Sequence, residues 1–271
     1  MDNTEFKKVF FVASHGMAGD HLFDWFPKAL GAHPEIYIYL GESVRSKYFN
    51  ERSRKERPDI VQYSNFLKDL GGSTYQSIGE CFSYRAYQLE QLTGVFGDDV
   101  RWVNLVRHPY AWLDFYVSWR ASNLNMPLDN TMAIDHEWSV TKHDYFSSLN
   151  LIPYSKDNVS IWASYQGMDI LNRMLSDRRP NVTNIPIESI CNSQEQFQSV
   201  VTYLTHGRIN YNSHLLDLVF SWLQKPFRQN SKLIGDPEYL RSSWPTWKHE
   251  AFSKIIKAET ISMFESYGYQ L

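Results

Sequence analysis

Three observations predict an α/β fold built on a central parallel sheet. Short apolar runs recur along the chain at Val9–Ala13 (VFFVA), Ile36–Leu40 (IYIYL), Trp102–Val106 (WVNLV) and Val182–Ile187. Segments with helical spacing separate them. A glycine-containing loop joins the first run to the first helical segment. Strands that alternate with helices in this way form parallel sheets with helices on both faces. Ligands of such sheets bind beyond the carboxyl ends of the strands. With 271 residues, 43% of them hydrophobic, the chain is long enough to bury about three quarters of its unfolded surface. No linker or repeat divides it, so one domain spanning 1–271 is expected.

The elements follow in order. Val9 to Ala13 reads as the first strand. The loop Ser14-His15-Gly16-Met17-Ala18-Gly19-Asp20-His21 comes next, then an amphipathic helix to Gly31 that Pro27 kinks or ends early. Ile36 to Leu40 is the second strand. Asp59 to Leu70 has helical spacing, Tyr75 to Ile78 is a short strand before Gly79, and Tyr84 to Phe96 is a helix. Trp102 to Val106 ends at Arg107-His108-Pro109, and a helix runs from Tyr110 to about Ala121. Residues 123–157 are the least periodic and read as an irregular insertion or lid. Val159 to Leu175 is a long helix, Val182 to Ile187 a strand, Glu195 to Leu204 a helix, and Lys248 to Tyr267 a closing amphipathic helix.

Composition excludes several classes. With 27 Lys and Arg against 30 Asp and Glu, net −3, the chain is neither self-repelling and disordered nor a strongly basic nucleic-acid binder. Cys81 and Cys191 stand far apart, with no CxxC and no Cys/His cluster at zinc spacing. No metal site is expected, and a reducing, cytoplasmic setting is the simpler reading. No window reaches the ~18 apolar residues of a membrane span. Nothing in the pattern sets an oligomeric state.

A strand, a loop with glycines at 16 and 19, and a helix suit an anion. Backbone N–H groups wrap it and the helix N-terminus adds about half a positive charge. The strict phosphate-loop pattern is absent, because Asp20 and His21 stand where it has Lys and Ser/Thr. An ordinary strand–helix turn capped by Asp20 is the competing reading.

Together the segments VFFVASHGMAGDHLF, AHPEIYIYLGES…KYF, IGECFSY, WVNLVRHPYAWLDFY, VTNIPIESICNSQEQF, YLRSSWPTWKHEAF and ESYGYQL resemble, in order and spacing, the sulfotransferases that use 3′-phosphoadenosine 5′-phosphosulfate. The likeness is nearest to the carbohydrate, heparan-type and bacterial members. It implies a P-loop-like α/β domain, a soluble enzyme with no metal, and a small-molecule or carbohydrate acceptor.

The resemblance also implies site residues. The phosphosulfate loop falls on Ser14, Gly16, Met17, Ala18, Gly19, Asp20, His21 and Leu22. Met17 replaces the family's basic residue, so His15 or His21 would supply a side-chain donor. Glu42, after the second strand and before Tyr48-Phe49, takes the place of the base that accepts the acceptor's proton. A cap or a pair with Arg45 competes for that carboxylate. Cys81 replaces a family lysine and reads as a buried apolar thiol. Arg107, in Arg107-His108-Pro109, would grip the nucleotide's 3′-phosphate with its planar fork. Phe115 replaces the serine expected eight residues later. Arg241 would be a second 3′-phosphate ligand, with Trp247 and Lys248 beside the nucleotide. Trp247 equally suits an anchor for the last helix.

An in-line sulfuryl transfer would then use Glu42 as base, backbone N–H groups of 18–22 at the phosphosulfate, and Arg107 and Arg241 at the 3′-phosphate. The alternatives are a sulfotransferase-fold binding protein without activity and, more remotely, a P-loop kinase.

Overall fold

The computed structural model describes residues 8–14, 21–40, 69, 72–81, 100–124, 148–149, 159–174, 182–227 and 237–271. Contacts gather the chain into two compact units. The first comprises 1–106 and 177–229, the second 107–176 and 230–271.

The first unit holds the sheet. Its strands are β1 (Val9–Ser14), β2 (Ile36–Leu40), β3 (Ser77–Cys81), β4 (Arg101–Val106) and β5 (Val182–Pro186). All four pairings are parallel, in the order β2-β3-β1-β4-β5. This is the predicted α/β architecture. The inner strands β1, β3 and β4 are buried along almost their whole length, as strands covered on both faces are. Phe10, Phe11 and Trp102 are fully buried, and Phe11 stacks on Trp102 at 4.7 Å.

Among the described residues this unit holds the helices α1 (His21–Gly31), α4 (Ile187–Asn192), α5 (Gln194–Leu204) and α6 (Ser213–Phe227). Helix α1 carries Pro27 inside it and continues to Gly31. Its end is held by the Tyr211 hydroxyl, which is shared between the carbonyls of Ala29 and Leu30 at 2.9 and 2.8 Å. Trp25 Nε1 donates to the Val219 carbonyl of α6 at 2.8 Å. Ser193 caps α5 by accepting from the Gln196 amide.

Two strand expectations shift. The third strand lies at Ser77–Cys81 rather than Tyr75–Ile78, and Gly79 is inside it. A Cβ there would fall 2.4 Å from the Phe10 ring and 2.6 Å from Ile38. Gly79 is therefore a packing position on a crowded sheet and not a strand end. The fifth strand stops at Pro186, and Ile187 already begins α4.

The second unit is helical: α2 (Pro109–Leu124), α3 (Val159–Met174), α7 (Pro237–Ser243), α8 (Thr246–Ile255) and α9 (Ala258–Ser266). Helices α2 and α3 pack closely at Gly167, where a Cβ would meet the Leu113 methyl at 2.4 Å. The single closing helix expected over Lys248–Tyr267 is two helices. Asn172 explains the break. Its side-chain N–H donates to the Ile255 carbonyl at 2.7 Å. Its oxygen accepts from the Lys257 amide at 2.9 Å and the Thr260 hydroxyl at 2.8 Å. One buried amide thus ends α8 and starts α9.

The helices expected at Asp59–Leu70 and Tyr84–Phe96, and most of the 123–157 insertion, lie outside the described residues. Among the described residues no helix is long and apolar enough to cross a membrane.

Candidate functional site

Register sets the carboxyl ends of two strands side by side. Ser14, the last residue of β1, pairs with Leu105 of the neighbouring parallel strand β4. The chain therefore leaves β1 and β4 at the same carboxyl edge of the sheet. His21 is the first residue of α1 and Leu22 the second. His15, Gly16, Met17, Ala18, Gly19, Asp20 and Glu42 lie outside the described residues.

The same half of the sheet buries polar groups. Tyr39 donates its hydroxyl to Glu80 Oε2 at 2.9 Å, and Glu80 is fully buried. Asn104 donates to Asn184 Oδ1 at 2.8 Å across β4 and β5. Sequence reading did not single out Tyr39, Asn104 or Asn184. Asparagines inside the apolar runs WVNLV and VTNIP were the available signal, since Asn is depleted in strands. Cys81 is fully buried, and burial, reinforced by the Glu80 charge, drives its thiol far above the usual range. It cannot act as a thiolate nucleophile or stand in for a basic residue.

In the second unit the chain after β4 forms a built corner. Arg107 is 5% exposed and His108 5%. Pro109 opens α2, the position where its missing N–H costs nothing. His108 is the cap. Its carbonyl accepts from the Trp112 amide at 2.9 Å, and its Nδ1 accepts from the Tyr110 amide at 3.2 Å. An accepting Nδ1 puts the ring proton on Nε2, which donates to the Gln270 carbonyl at 3.2 Å. Burial pushes the imidazole pKa down to about 4. The Gln270 carbonyl opposes this, and the Arg107 guanidinium adds to it. His108 is neutral at pH 7. Tyr269 packs edge-on against it at 5.1 Å.

Arg241 lies in the last turn of α7 and is exposed. Its guanidinium carbon stands 5.9 Å from the centre of the Tyr110 ring, within cation–π range. Arg241 thus stands at the first turn of α2, where the helix dipole is positive, and Arg107 precedes that helix by two residues in the chain. Lys248 is 7% exposed and paired with Asp114 of α2, and its ammonium lies 4.2 Å from the Trp244 ring centre. Burial pulls its pKa down, and the Asp114 charge and hydrogen bond oppose the shift. Trp247 is half-buried and meets Tyr165 edge-on at 6.2 Å, a packing contact with α3. Among the described residues no group of three or more His, Cys, Asp or Glu side chains is placed to hold a metal ion.

No family model matches the chain. No curated protein matches it. Solved structures similar to it include three sulfotransferases or sulfotransferase domains. A sulfotransferase from Alicyclobacillus acidocaldarius shares 16% identity at a TM-score of 0.41, over 86% of this chain and 98% of its own. The sulfotransferase domain of the Synechococcus PCC 7002 olefin synthase shares 13% at 0.46, over 97% and 94%. The sulfotransferase domain of the curacin biosynthetic pathway shares 15% at 0.37, over 93% and 80%.

Proposed function

We propose that this protein is a sulfotransferase that takes a sulfuryl group from 3′-phosphoadenosine 5′-phosphosulfate and passes it to a hydroxyl or amine of a small-molecule or carbohydrate acceptor. The observation that carries the reading is the exposed Arg241, whose guanidinium stands over Tyr110 in the first turn of α2, the helix that begins two residues after Arg107. Cations at that end of a helix repel the dipole, and a doubly charged phosphate offsets both. The order of sequence motifs described above supports the same reading.

The donor supplies an activated sulfuryl group when bound. Arg107 and Arg241 hold its 3′-phosphate and so fix the far end of the nucleotide. The backbone N–H groups of 18–22 bind the phosphosulfate in this reading, with His15 or His21 as side-chain donor. Glu42, just past β2, takes the acceptor's proton. Trp247 and Lys248 border the nucleotide side without touching phosphate, since Lys248 already neutralises Asp114.

A second reading, binding without transfer, is favoured by Met17 and by the buried Cys81, which stand where the resembling family has basic residues. Incubation with the donor and a panel of sugars, phenols, alcohols and amines separates the two. A product heavier by one sulfuryl group, with release of adenosine 3′,5′-bisphosphate, supports transfer. Nucleotide binding without any product across the panel supports the binding reading.

A further inference from the structure

We infer that Asp114 is a positioning residue for Arg241, and that it works through Trp244 and Lys248. The inference rests on the nucleotide site proposed above. Asp114 sits on α2, one turn beyond Tyr110. A single carboxylate oxygen, Oδ1, accepts the Trp244 indole N–H at 2.9 Å and also pairs with the Lys248 ammonium. The ammonium in turn lies over the Trp244 ring. Three side chains thus form one closed unit, built from α2 on one side and from the α7–α8 junction on the other.

That unit sets where Arg241 stands. The Trp244 amide donates to the Arg241 carbonyl at 3.1 Å, closing the last turn of α7. The Trp244 ring packs edge-on against Tyr110 at 4.9 Å and at a tilt against Phe252 at 5.6 Å. Trp244 is 7% exposed, whereas Arg241 three residues earlier is exposed. A long, exposed cation has many rotamers and little of its own to hold it. Here its backbone is pinned three residues away, and its guanidinium is brought over Tyr110 at the start of α2.

The chemistry also explains why a buried lysine stands at 248. A cation so close to the phosphate site would compete with Arg241 for the ligand if it were unpaired. Paired with Asp114, it holds the segment and leaves the exposed guanidinium to meet the anion.

The test is Asp114→Asn, read with two nucleotides. The amide keeps the shape and removes the charge that holds Lys248. Adenosine 3′,5′-bisphosphate should bind about five- to thirty-fold more weakly, the usual range for coupled neighbours. Adenosine 5′-monophosphate, which lacks the 3′-phosphate, should bind as to the wild type. In an Arg241→Ala background the same substitution should change bisphosphate affinity by less than about twofold, because nothing remains to position. Asp114→Glu should restore part of the loss. Equal losses for both nucleotides, or full additivity with Arg241→Ala, overturn the inference. Hydrogen–deuterium exchange over 237–256 is read in parallel and should quicken in Asp114→Asn. If the wild type binds neither nucleotide, the nucleotide reading fails by itself. Unchanged exchange in Asp114→Asn then overturns the positioning role, and faster exchange confined to that segment upholds it.

Discussion

In the first unit two polar pairs bridge neighbouring strands: Tyr39 serves Glu80, and Asn104 serves Asn184. The corner of the second unit is built differently. Arg107, Arg241 and Lys248 gather around the first turns of α2, and Asp114 engages Lys248 among them. Side-chain hydrogen bonds between neighbouring strands hold them in register. A concentration of one charge sign at a helix end focuses an electric field and draws a counter-ion. The comparison separates two uses of polar groups: in the first unit they pair between neighbouring strands, and in the second they gather around one helix.

The largest expected effect breaks the division of labour at its chemical end. Glu42→Gln should cut turnover by roughly 10²–10⁴-fold and leave bisphosphate affinity unchanged, because the amide cannot take a proton. Steady-state rates beside equilibrium binding check this. A mutant with wild-type turnover moves the base elsewhere, with His15 next.

Arg107→Ala comes second. Losing a charge-assisted hydrogen bond should weaken bisphosphate binding by about 1.5–3 kcal/mol. Wild-type affinity in the folded variant removes Arg107 from the site.

Gly79→Ala and Gly167→Ala set the two units side by side. At Gly79 the new methyl meets the Phe10 ring at 2.4 Å, whereas at Gly167 it meets the end of the flexible Leu113 side chain at 2.4 Å and the Tyr116 ring only at 3.1 Å. Gly79→Ala should cost about 1–3 kcal/mol of overpacking. At Gly167 the methyl of Leu113 can swing aside, and alanine recovers roughly 1 kcal/mol of helix propensity, so the net loss should be smaller. Urea midpoints of the two variants decide it, and a larger loss at Gly167 reverses the ranking.

The smallest effect is pH-dependent. His108 has a folded pKa of about 4, below its ordinary 6.5. Between these values the unfolded chain binds more protons, so the stabilisation is complete above pH 6.5 and fades as pH falls toward 4. His108→Asn keeps an accepting cap without the titration. Its urea midpoint should fall less than that of the wild type between pH 7 and pH 5. Parallel losses remove His108 as the source.

The parallel sheet was legible because most of its strands are largely apolar and so read as near-continuous runs. Arg107 was legible for the same reason, standing directly after one of them. Gly79 misled because a glycine inside a strand looks like an ending until the Phe10 ring that fills its space is known. Helix α6 was passed over although Leu215, Leu216, Val219, Phe220 and Leu223 recur at helical spacing, and Asn212 caps it by accepting from the Leu215 amide. The break between α8 and α9 was not legible at all, since Asn172, which makes it, lies some eighty residues away. The partner of Lys248 was hidden likewise: only tertiary structure brings it to Asp114.

The most direct test of the central claim is a calorimetric titration of the wild-type protein with adenosine 3′,5′-bisphosphate, set against adenosine 5′-monophosphate. Arg107 and Arg241 should make the bisphosphate bind at least about tenfold tighter, the worth of one charge-assisted hydrogen bond to the 3′-phosphate. Equal affinity for the two nucleotides, or no heat with either, would contradict the account.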